Sequence, residues 1–507
     1  MSLATISTRA LLGVDAIEVK VETHLSNGLP GFAIVGLPET AVKGSKERVR
    51  SAIINSGMDF PSRRITVNLA PANLPKAGGR YDLAIALSIL IASDQIAADA
   101  LRNTEVLGEL ALDGSLREVY GVVPAILAVK RSGAKLILPV KNTQEVALVN
   151  YKRACCAGSL LQLINHLATG EQLPGTDSPD QQVLNEKTGF FFERQVKGQA
   201  LAKRAVQIAA AASHNLLMIG PPGSGKTLLA NALMNLLPPM NENESMESAS
   251  VKSAARISIN SNNYRQRPIR SPHHSSTSVA LVGGGNKARP GETSLAHRGV
   301  LFLDELPEFK PSVLDALREP LETGLINISR ANYSAAFPAN FQLIAAMNPC
   351  PCGYASDPKH QCRCSEDRID RYLGRLSGPL LDRLDLLIQV PSLSQAELLE
   401  HGEDKTDWAA IRESISSCRQ TQQKRNGKLN SELAGRELED ICHLNKKLRR
   451  TLASTMEKLG MSARATHRVI RVARTIADYG DRADINRSDL LEAISYRRCQ
   501  FIRSVIK

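Results

Sequence analysis

The sequence predicts an α/β fold with a parallel-sheet core, preceded by an α+β domain and followed by a basic, mainly helical segment. Three observations lead to this prediction. Residues 1–170 alternate short apolar runs with glycine and proline. Between residues 198 and 347, apolar runs typical of buried strands alternate with helical patterns, as expected of βαβ units. From about residue 396 onward the pattern is mainly helical.

The composition is that of a globular protein. The chain has 507 residues, of which 43% are hydrophobic, and domains of about 100–200 residues would give it two to four. No stretch near the N-terminus combines a basic start with a long apolar run, and no segment approaches the roughly 20 uncharged apolar residues of a membrane span. We therefore expect neither a signal peptide nor a membrane span, and a cytoplasmic location.

The charge is strongly basic and is concentrated at the C-terminal end. The formal net charge is +12, and residues 441–507 hold 15 Lys and Arg against 6 Asp and Glu. A basic face of this size suits a polyanion such as DNA or RNA, although a solvated helical surface would have the same composition. Charge alone favours nucleic acid and leaves both interpretations open.

The first domain is predicted at residues 1–172. Its apolar runs at 17–21, 65–69 and 135–139 are typical of strands, and those at 83–92 and 124–131 of helices. This mixture indicates a compact α+β domain. The polar segment 173–190 contains two prolines and is predicted as a linker. The α/β core is then expected at 191–395 and the basic helical segment at 396–507.

A phosphate-binding loop is predicted at residues 220–227. The sequence Gly-Pro-Pro-Gly-Ser-Gly-Lys-Thr fits G-x-x-x-x-G-K-[ST], with an apolar strand at 214–219 before it and a helix at 228–237 after it. Backbone N–H groups of such a loop point into one cavity, and the helix N-terminus adds its positive dipole end. The residues expected to bind ATP are Gly220, Pro221, Pro222, Gly223, Ser224, Gly225, Lys226 and Thr227.

Within this loop, Lys226 is expected to reach the β- and γ-phosphates and the Thr227 hydroxyl to bind Mg²⁺. An apolar strand at 299–304 ends in Asp304 and Glu305. This arrangement predicts Asp304 as a second Mg²⁺ ligand and Glu305 as the general base that acts on a positioned water. A strand that simply ends in a charged turn is the alternative, and the nearby phosphate loop disfavours it.

An inserted loop is predicted at residues 264–297. Lys226 and Asp304 are 78 residues apart, whereas two βαβ units need about 60. The block 264–297 is rich in Gly, Pro, Ser and basic residues, and residues 240–263 look polar and irregular.

The next strand, at 341–347, ends at Asn348. Asn348 is predicted to orient the attacking water, and a plain Asn-Pro turn is the alternative.

Four of the nine cysteines cluster in two C-x-C pairs: Cys350, Cys352, Cys362 and Cys364. Four thiolates can close a tetrahedral zinc site, although the usual pair spacing is C-x₂-C. Gly and Pro residues between the pairs allow the chain to reverse. In a cytosolic chain the pattern favours structural zinc or free buried thiols over disulfides.

The loop, the acid-ended strand and the Asn348 strand together resemble the AAA+ ATPases. Four motifs resemble the branch that contains the magnesium-chelatase ATPase subunit: Ser-Pro-His-His at 271–274, Gly-Gly-Gly at 283–285, Pro-Gly-Glu at 290–292 and Leu-Ala-His-Arg-Gly-Val at 295–300. Asn-Pro-Cys-Pro-Cys-Gly at 348–353 and Gly-Pro-Leu-Leu-Asp-Arg-Leu-Asp at 378–385 are similar to the bacterial YifB/ComM proteins. The resemblance covers nearly the whole chain.

This resemblance implies a six-subunit ring with ATP between subunits and a C-terminal helical lid. It implies that Arg383 is the arginine finger that reaches the neighbour's γ-phosphate, and that Arg464 is the second sensor arginine; from sequence alone both could be surface arginines. The 264–297 insertion would project toward the central pore, and a second insertion at 325–337 would form a hairpin. The candidate DNA contacts are Arg267, Arg270, Lys287, Arg289 and Arg330.

The N-terminal domain resembles the Lon protease domain, a ribosomal S5 domain 2-like fold, without its catalytic dyad. The segment that should carry the nucleophilic Ser is Lys-Ala-Gly-Gly-Arg-Tyr-Asp at 76–82, and the partner Lys should fall near the apolar Val122 and Val123. Because a dyad needs both a nucleophile and a base, we expect a scaffold that forms a ring or contacts DNA.

The function implied by the resemblance is that of a hexameric DNA motor, a branch-migration helicase that acts on branched DNA in natural transformation and recombination. Alternatives that use the same ATP site are a magnesium-chelatase-like metal-insertion ATPase, an ATP-dependent protein remodelling factor and a nucleotide-sensing switch. The missing Ser–Lys pair disfavours self-contained proteolysis.

Overall fold

The N-terminal part of the computed structural model is a mixed sheet flanked by helices. The structure describes residues 3–173 apart from 38, 40, 41 and 43; residue 196; residues 198–393 apart from 286, 287, 331, 332, 356 and 358; and residues 406–497. Apart from Leu173, the predicted linker at 173–190 lies outside the described residues.

The strands of the N-terminal part are β1 (Leu3–Leu12), β2 (Asp15–Ser26), β3 (Gly31–Val35), β4 (Arg64–Ala70), β5 (Thr104–Val106), β6 (Glu109–Leu110), β7 (Leu116–Arg117), β8 (Lys135–Pro139) and β9 (Ala154–Ala157).

Seven of these strands form one sheet in the order β3-β4-β2-β1-β5-β8-β9, and β6 and β7 form a separate small hairpin. The long strands β1 and β2 pair antiparallel, whereas β5, β8 and β9 pair parallel. The predicted strands at 17–21, 65–69 and 135–139 are confirmed. The helices are Ser45–Asn55, Asp82–Ala92, Val122–Ser132, Thr143–Val149 and Leu160–Thr169, with 3₁₀ turns at Ala98–Leu101 and Val140–Asn142.

The central part has a five-stranded parallel sheet, in the spatial order Ile269–Arg270, Val300–Leu303, Gln342–Met347, Leu216–Ile219 and Leu386–Gln389. Helices Ala200–Ala212 and Lys226–Leu236 pack against it through fully buried alanine, valine and leucine side chains. The strands of this part, in chain order, are β10 (Leu216–Ile219), β11 (Ile269–Arg270), β12 (Gly283–Gly284), β13 (Arg289–Pro290), β14 (Val300–Leu303), β15 (Leu325–Arg330), β16 (Tyr333–Pro338), β17 (Gln342–Met347) and β18 (Leu386–Gln389). The predicted parallel-sheet core is confirmed.

The inserted segment is more ordered than a loop. Ile269–Arg270 forms β11, the edge strand of the core sheet, in which Ile269 pairs with Val300. The prediction of an inserted loop over the whole of 264–297 is therefore wrong at its start, because a two-residue strand leaves no periodicity to detect.

The remaining short elements of the central part are the helices Ser261–Tyr264, Ser278–Val282, Glu292–Leu295, Pro311–Asp315, Arg318–Thr323, Glu366–Leu373 and Gly378–Leu381 and the 3₁₀ turn Leu306–Glu308.

A helix occupies Glu242–Ala254, where the sequence looked irregular. A capping box between Asn241 and Glu244 begins this helix. Its inward face carries small polar residues, among them Ser245 and Ser253, and packs against helix Val122–Ser132 of the N-terminal part. The expectation of irregular structure is wrong because the helix buries serines instead of an apolar stripe, so its hydrophobic periodicity is weak.

The predicted hairpin at 325–337 is confirmed by the antiparallel pair β15 and β16, which extends to Arg330 opposite Tyr333. The turn between β1 and β2 touches this hairpin. Gly13 has a φ of 66°, and a Cβ at this position would lie 2.5 Å from the Ala336 carbonyl oxygen. The N-terminal part therefore contacts both the hairpin and helix Glu242–Ala254.

The C-terminal part is helical and packs on the core sheet. Its elements are the helices Trp408–Asn426, Gly435–Ile441, Lys446–Leu459, Ala463–Tyr479 and Arg487–Ser495 and the 3₁₀ turn Asn430–Glu432. Residues of Ala463–Tyr479 share one apolar core with helix Ala200–Ala212. Within the described part of the chain, no helix combines the length and the apolar character needed to cross a membrane.

Asp385 joins the core to the helical part. Its side chain is 3% exposed, accepts from Arg468 Nη1 at 2.6 Å, and accepts from the Asn215 backbone N–H at 2.8 Å. Burial alone would raise the pKa of this carboxyl, but the charge of Arg468, together with the hydrogen bond from the Asn215 backbone N–H, outweighs burial and lowers it. The contribution of Asp385 to stability is thus present above the pKa of an unfolded aspartate, about 4, and is lost as the pH falls further.

We expect Asp385→Asn to lower the free energy of unfolding by about 3 kcal/mol at neutral pH, because it leaves Arg468 largely buried without its counter-charge. Urea unfolding of the full chain measures the change. Asp440→Asn, at an exposed position of helix Gly435–Ile441, is the matched control and should change little. Equal midpoints for the two variants would contradict the role of Asp385 in joining the core to the helical part.

Candidate functional site

The site lies at the carboxyl edge of the core sheet. Strands β10, β14 and β17 are parallel and adjacent, with Leu303 opposite Ala345 and Ile219 opposite Met347. Their carboxyl ends therefore meet, and the next residue of each chain segment is Gly220, Asp304 or Asn348. The parallel register alone brings together three residues that are far apart in the sequence.

The loop at 220–225 needs its glycines. Gly223 and Gly225 have φ values of 75° and 86°, in the left-handed region that glycine adopts without strain. Gly220 packs so closely that a Cβ would lie 2.1 Å from the Val390 carbonyl oxygen. Helix Lys226–Leu236 follows directly, so the N–H groups of its first turn face the same side as the loop. This is the geometry of an anion cradle.

Lys226 lies folded against this loop. Its Nζ donates to the carbonyl oxygens of Gly220 at 2.8 Å and Pro221 at 2.9 Å, and to Asn348 Oδ1 at 3.2 Å. Burial lowers the pKa of the ammonium, while Asp304 and Glu305 act in the opposite direction. The predicted phosphate-binding lysine and the predicted water-orienting asparagine are therefore in direct contact.

The two predicted Mg²⁺ ligands are also in contact. Thr227 Oγ1 donates to Asp304 Oδ2 at 3.2 Å, and the Glu305 backbone N–H donates to Asp304 Oδ1 at 2.9 Å. The hydroxyl and the carboxylate are thus within reach of one ion. Glu305 follows with an exposed side chain and a φ of 51°, a backbone conformation that costs a residue with a Cβ about 1–3 kcal/mol and is common at functional sites.

His274 is a residue of this site for which the sequence indicated no role. Its Nδ1 lies 3.4 Å from Glu305 Oε2, and its ring stacks on His273 at 4.1 Å between centroids. The only sequence signal was its place in the Ser-Pro-His-His motif. That motif directly follows β11, the neighbour of β14, so the adjacent strands deliver His274 and Glu305 to the same edge.

Arg383 and Arg464 converge on Glu322. Arg383 donates from Nε to the Arg318 carbonyl oxygen at 3.1 Å, from Nη1 to the Pro379 carbonyl oxygen at 2.7 Å, and from Nη2 to Glu322. Arg464 Nη2 lies 3.5 Å from the other oxygen of Glu322. Within the described residues, neither arginine forms a hydrogen bond or ion pair with the phosphate loop or with Asp304. Nothing in the sequence distinguished Glu322.

The predicted DNA contacts fall into two groups. Arg267 donates to Glu244 at 2.9 Å and to two backbone carbonyl groups, and Arg270 pairs with Glu292 at 2.8 Å, so both guanidinium groups serve internal contacts. Arg289 is exposed on β13. Arg330 is the last residue of β15, but its side chain and the whole of Lys287 lie outside the described part of the structure.

The four clustered cysteines come together as predicted. Their sulfur atoms all lie within 4.8 Å of one another, and none of the four forms a disulfide with a described cysteine. Cys350 is fully buried and the other three are partly buried. The cluster therefore offers four sulfur ligands to one metal ion.

In the N-terminal part, the segment at 76–82 serves structural contacts. Lys76 is fully buried and its ammonium donates to the Pro71 carbonyl oxygen. Asp82 is fully buried and pairs with Arg48 at 2.6 Å. Val122 and Val123 are fully buried at the start of their helix. Both charged side chains are thus engaged in internal contacts.

Three family models match the chain. "Magnesium chelatase, subunit ChlI" matches residues 193–398, "Subunit ChlI of Mg-chelatase" matches 21–142, and "Magnesium chelatase, subunit ChlI C-terminal" matches 405–497. The family implies ATP and Mg²⁺ as ligands, and the residues fit both. The loop at 220–225 is an anion cradle, and Thr227 and Asp304 offer oxygen ligands 3.2 Å apart.

Individual relatives agree with the family models. The chain is 50% identical over 499 residues to the competence protein ComM of Haemophilus influenzae, which covers 98% of both chains. It is 46% identical over 497 residues to the YifB protein of Salmonella typhimurium, covering 98% of this chain and 97% of the relative. A shorter match of 33% identity over 109 residues relates 21% of the chain to 19% of Lon protease 2 of Bacillus subtilis. The chain therefore belongs to the ComM/YifB family of magnesium-chelatase-like AAA+ proteins.

Proposed function

We propose that this protein is an ATP-hydrolysing DNA motor that works as a hexameric ring in the cytoplasm and drives branch migration of branched DNA during recombination and natural transformation. The observation that carries the ATPase part is the contact network Thr227–Asp304 and Lys226–Asn348 at one edge of the sheet. The DNA part is supported by the 50% identity to a competence protein and by the net charge of +12.

In this proposal each residue of the sheet edge has one role. The backbone N–H groups of the loop and Lys226 hold the phosphates. Thr227 and Asp304 hold Mg²⁺, which supplies positive charge next to the phosphates when bound. Glu305 accepts the proton of the attacking water, and Asn348 orients that water. The exposed Glu305 carboxylate also lies 3.4 Å from His274 Nδ1.

The two arginines support a ring. Arg383 and Arg464 share Glu322, and among the residues that the structure describes neither forms a hydrogen bond or ion pair with the phosphate loop of its own chain. We propose that both act on the ATP of the adjacent protomer, with Arg383 as the finger that stabilises charge in the transition state. Arg383 is mostly buried, so it has to exchange its contact with Glu322 for the neighbour's phosphate.

DNA contact is proposed for the two inserted segments. The hairpin β15–β16 carries Arg330 at its end, and β13 carries the exposed Arg289. Cations that face a phosphate backbone suffice for binding without sequence preference. Arg267 and Arg270 contribute differently in this proposal, because their ion pairs with Glu244 and Glu292 fix the base of the inserted segment. The N-terminal domain is proposed as a scaffold.

A second candidate function has support from the family models. The match of residues 193–398 to the magnesium chelatase subunit ChlI supports a metal-insertion ATPase as an alternative. A protein remodelling factor would use the same ATP site. Both alternatives need a protein partner instead of DNA. An ATPase rate that rises with branched DNA would favour the motor, whereas a rate indifferent to DNA would favour the alternatives.

The role of Glu305 gives the first prediction. Glu305→Gln should lower the rate of ATP hydrolysis about 100-fold or more and leave nucleotide binding intact, because the amide cannot accept a proton while the loop is unchanged. Glu308→Gln, in the exposed pair of Glu308 with Arg375, is the control and should keep its rate. Steady-state hydrolysis and binding of a fluorescent ATP analogue measure the two effects. A Glu305→Gln variant that hydrolyses ATP at the normal rate would exclude Glu305 as the base.

The ring predicts complementation between two inactive variants. Lys226→Ala removes the phosphate ligand and Arg383→Ala removes the finger, so each variant alone should lack ATPase activity. In mixed rings, an intact loop from an Arg383→Ala protomer meets an intact finger from a Lys226→Ala protomer, and activity should return. Failure to recover activity in rings shown by mass spectrometry to be mixed would mean that Arg383 does not act across the interface.

The hairpin predicts a salt-dependent contact with DNA. Arg330→Ala should weaken binding of forked DNA uniformly across sequences and reduce the dependence of affinity on salt, because one phosphate contact per protomer is lost. Arg371→Ala, an exposed arginine on helix Glu366–Leu373, is the control. Fluorescence anisotropy across a salt series measures both. If the salt dependence of the Arg330→Ala variant is unchanged, the hairpin does not contact the DNA backbone through Arg330.

A further inference from the structure

We propose that Cys350, Cys352, Cys362 and Cys364 hold one zinc ion, and that the resulting zinc knuckle, residues 350–364, braces the phosphate loop so that zinc loading sets the affinity for ATP. The zinc site itself is independent of the proposed function. Its effect on nucleotide affinity rests on that function, because it requires that residues 220–227 bind ATP.

The sulfur positions fit a single metal ion. The Cys350–Cys352, Cys352–Cys362 and Cys350–Cys362 sulfur pairs are separated by 3.3, 3.5 and 3.7 Å. In a tetrahedral zinc site with bonds of about 2.3 Å, neighbouring sulfur atoms lie about 3.8 Å apart. Disulfide sulfur atoms lie about 2 Å apart, so these pairs are not bonded to each other. The separations are those of ligands around one common centre.

The chain between the two cysteine pairs is shaped to close the cluster. Gly353 has a φ of 87°, and its N–H donates to the Cys350 carbonyl oxygen at 2.9 Å, which turns the chain directly after Cys352. Further along, the nearly buried Asp357 accepts from His360 Nδ1 at 2.8 Å and from the Ser392 hydroxyl at 3.3 Å. The connection is therefore fixed at both ends, and it returns Cys362 to Cys350.

The chemistry of the ligands selects the metal. Four thiolates without oxygen ligands favour zinc or iron over magnesium or calcium. A four-cysteine site leaves no position open for a substrate, so zinc bound here is structural. Iron is the competing occupant, and metal analysis distinguishes the two.

The knuckle touches the phosphate loop directly. Gly353 packs against Pro222, the third residue of the loop, so closely that a Cβ at 353 would lie 2.5 Å from Pro222 Cδ. The strand end supplies a second connection. Cys350 lies two residues beyond Asn348, and Asn348 Oδ1 accepts from Lys226 Nζ at 3.2 Å. The knuckle thus meets the loop both at Pro222 and through the contact of Asn348 with Lys226.

The physical consequence concerns the order of the loop before ATP binds. A loop that is already held in its binding conformation loses less conformational freedom on binding, and affinity is higher for that reason. With zinc present, the four ligands fix Gly353 against Pro222. Without zinc, no metal–sulfur bond holds the four sulfur atoms within 4.8 Å of one another. The contact of Gly353 with Pro222 is then no longer fixed, and the affinity for ATP falls.

The test uses the full-length protein and three variants. Cys362→Ser removes one ligand. Gly353→Ala keeps all four cysteines but pushes on Pro222. Cys155→Ser changes a partly buried free thiol of the N-terminal part and is the control. Metal content is measured by mass spectrometry of the purified protein, affinity by titration with a fluorescent ATP analogue, and folding by circular dichroism.

We expect one zinc per chain in the wild type and in Cys155→Ser, and little in Cys362→Ser. The affinity for the ATP analogue should fall about tenfold in Cys362→Ser, and also in Gly353→Ala with its zinc retained. Wild-type protein with well under one zinc per chain, or with iron instead, would overturn the metal assignment. The effect of the knuckle on the phosphate loop would be contradicted if Cys362→Ser loses its zinc while Cys362→Ser and Gly353→Ala both bind the ATP analogue with unchanged affinity. A wild-type protein that carries zinc but binds no ATP analogue would instead contradict the proposed function.

Discussion

The site depends on one constraint, the parallel register of β10, β14 and β17. Because parallel strands end at the same edge, Ile219, Leu303 and Met347 deliver the phosphate loop, the acid pair and Asn348 to one place. The side chains in these strands are almost all fully buried, so a shift of one residue would turn the following polar residues away from each other. The hydrogen bonds of Lys226 and Thr227 are consequences of this register.

The same sheet explains why an inserted segment can reach the acid pair. β11 lies beside β14 at the edge of the sheet, and the segment 271–297 leaves from its end. His274 therefore meets Glu305 four residues after the end of β11, and the segment continues through the pair β12 and β13. Glu305 itself has a strained backbone, with a φ of 51°. A displacement of the inserted segment therefore acts directly on Glu305, without an intervening element.

The sequence predicted the sheet edge well and its surroundings poorly. Lys226 and Thr227 belong to a motif of fixed spacing between an apolar strand and a helix, and Asp304 directly follows an apolar strand. Such local patterns are visible in one sequence. Helix Glu242–Ala254 was missed because it buries serines against another domain, and β11 because two residues carry no period. Glu322 and the pairing of Arg267 with Glu244 depend on contacts between distant segments. No local rule encodes such contacts, so Arg267 was predicted as a DNA contact and Glu322 was assigned no role.

The N-terminal part touches the core at two elements, the hairpin that is proposed to contact DNA and helix Glu242–Ala254. Gly13 abuts the hairpin at Ala336, and the Gly121 N–H donates to the Ser253 carbonyl oxygen at 3.0 Å on helix Glu242–Ala254. Glu145 closes this second contact through the Ser253 hydroxyl at 3.2 Å, and burial raises the pKa of Glu145 to about 7. A tight glycine contact and a buried carboxyl tolerate little relative movement. The hairpin and the N-terminal sheet therefore have to move together or break these contacts, so any movement of the hairpin would be transmitted to the N-terminal part.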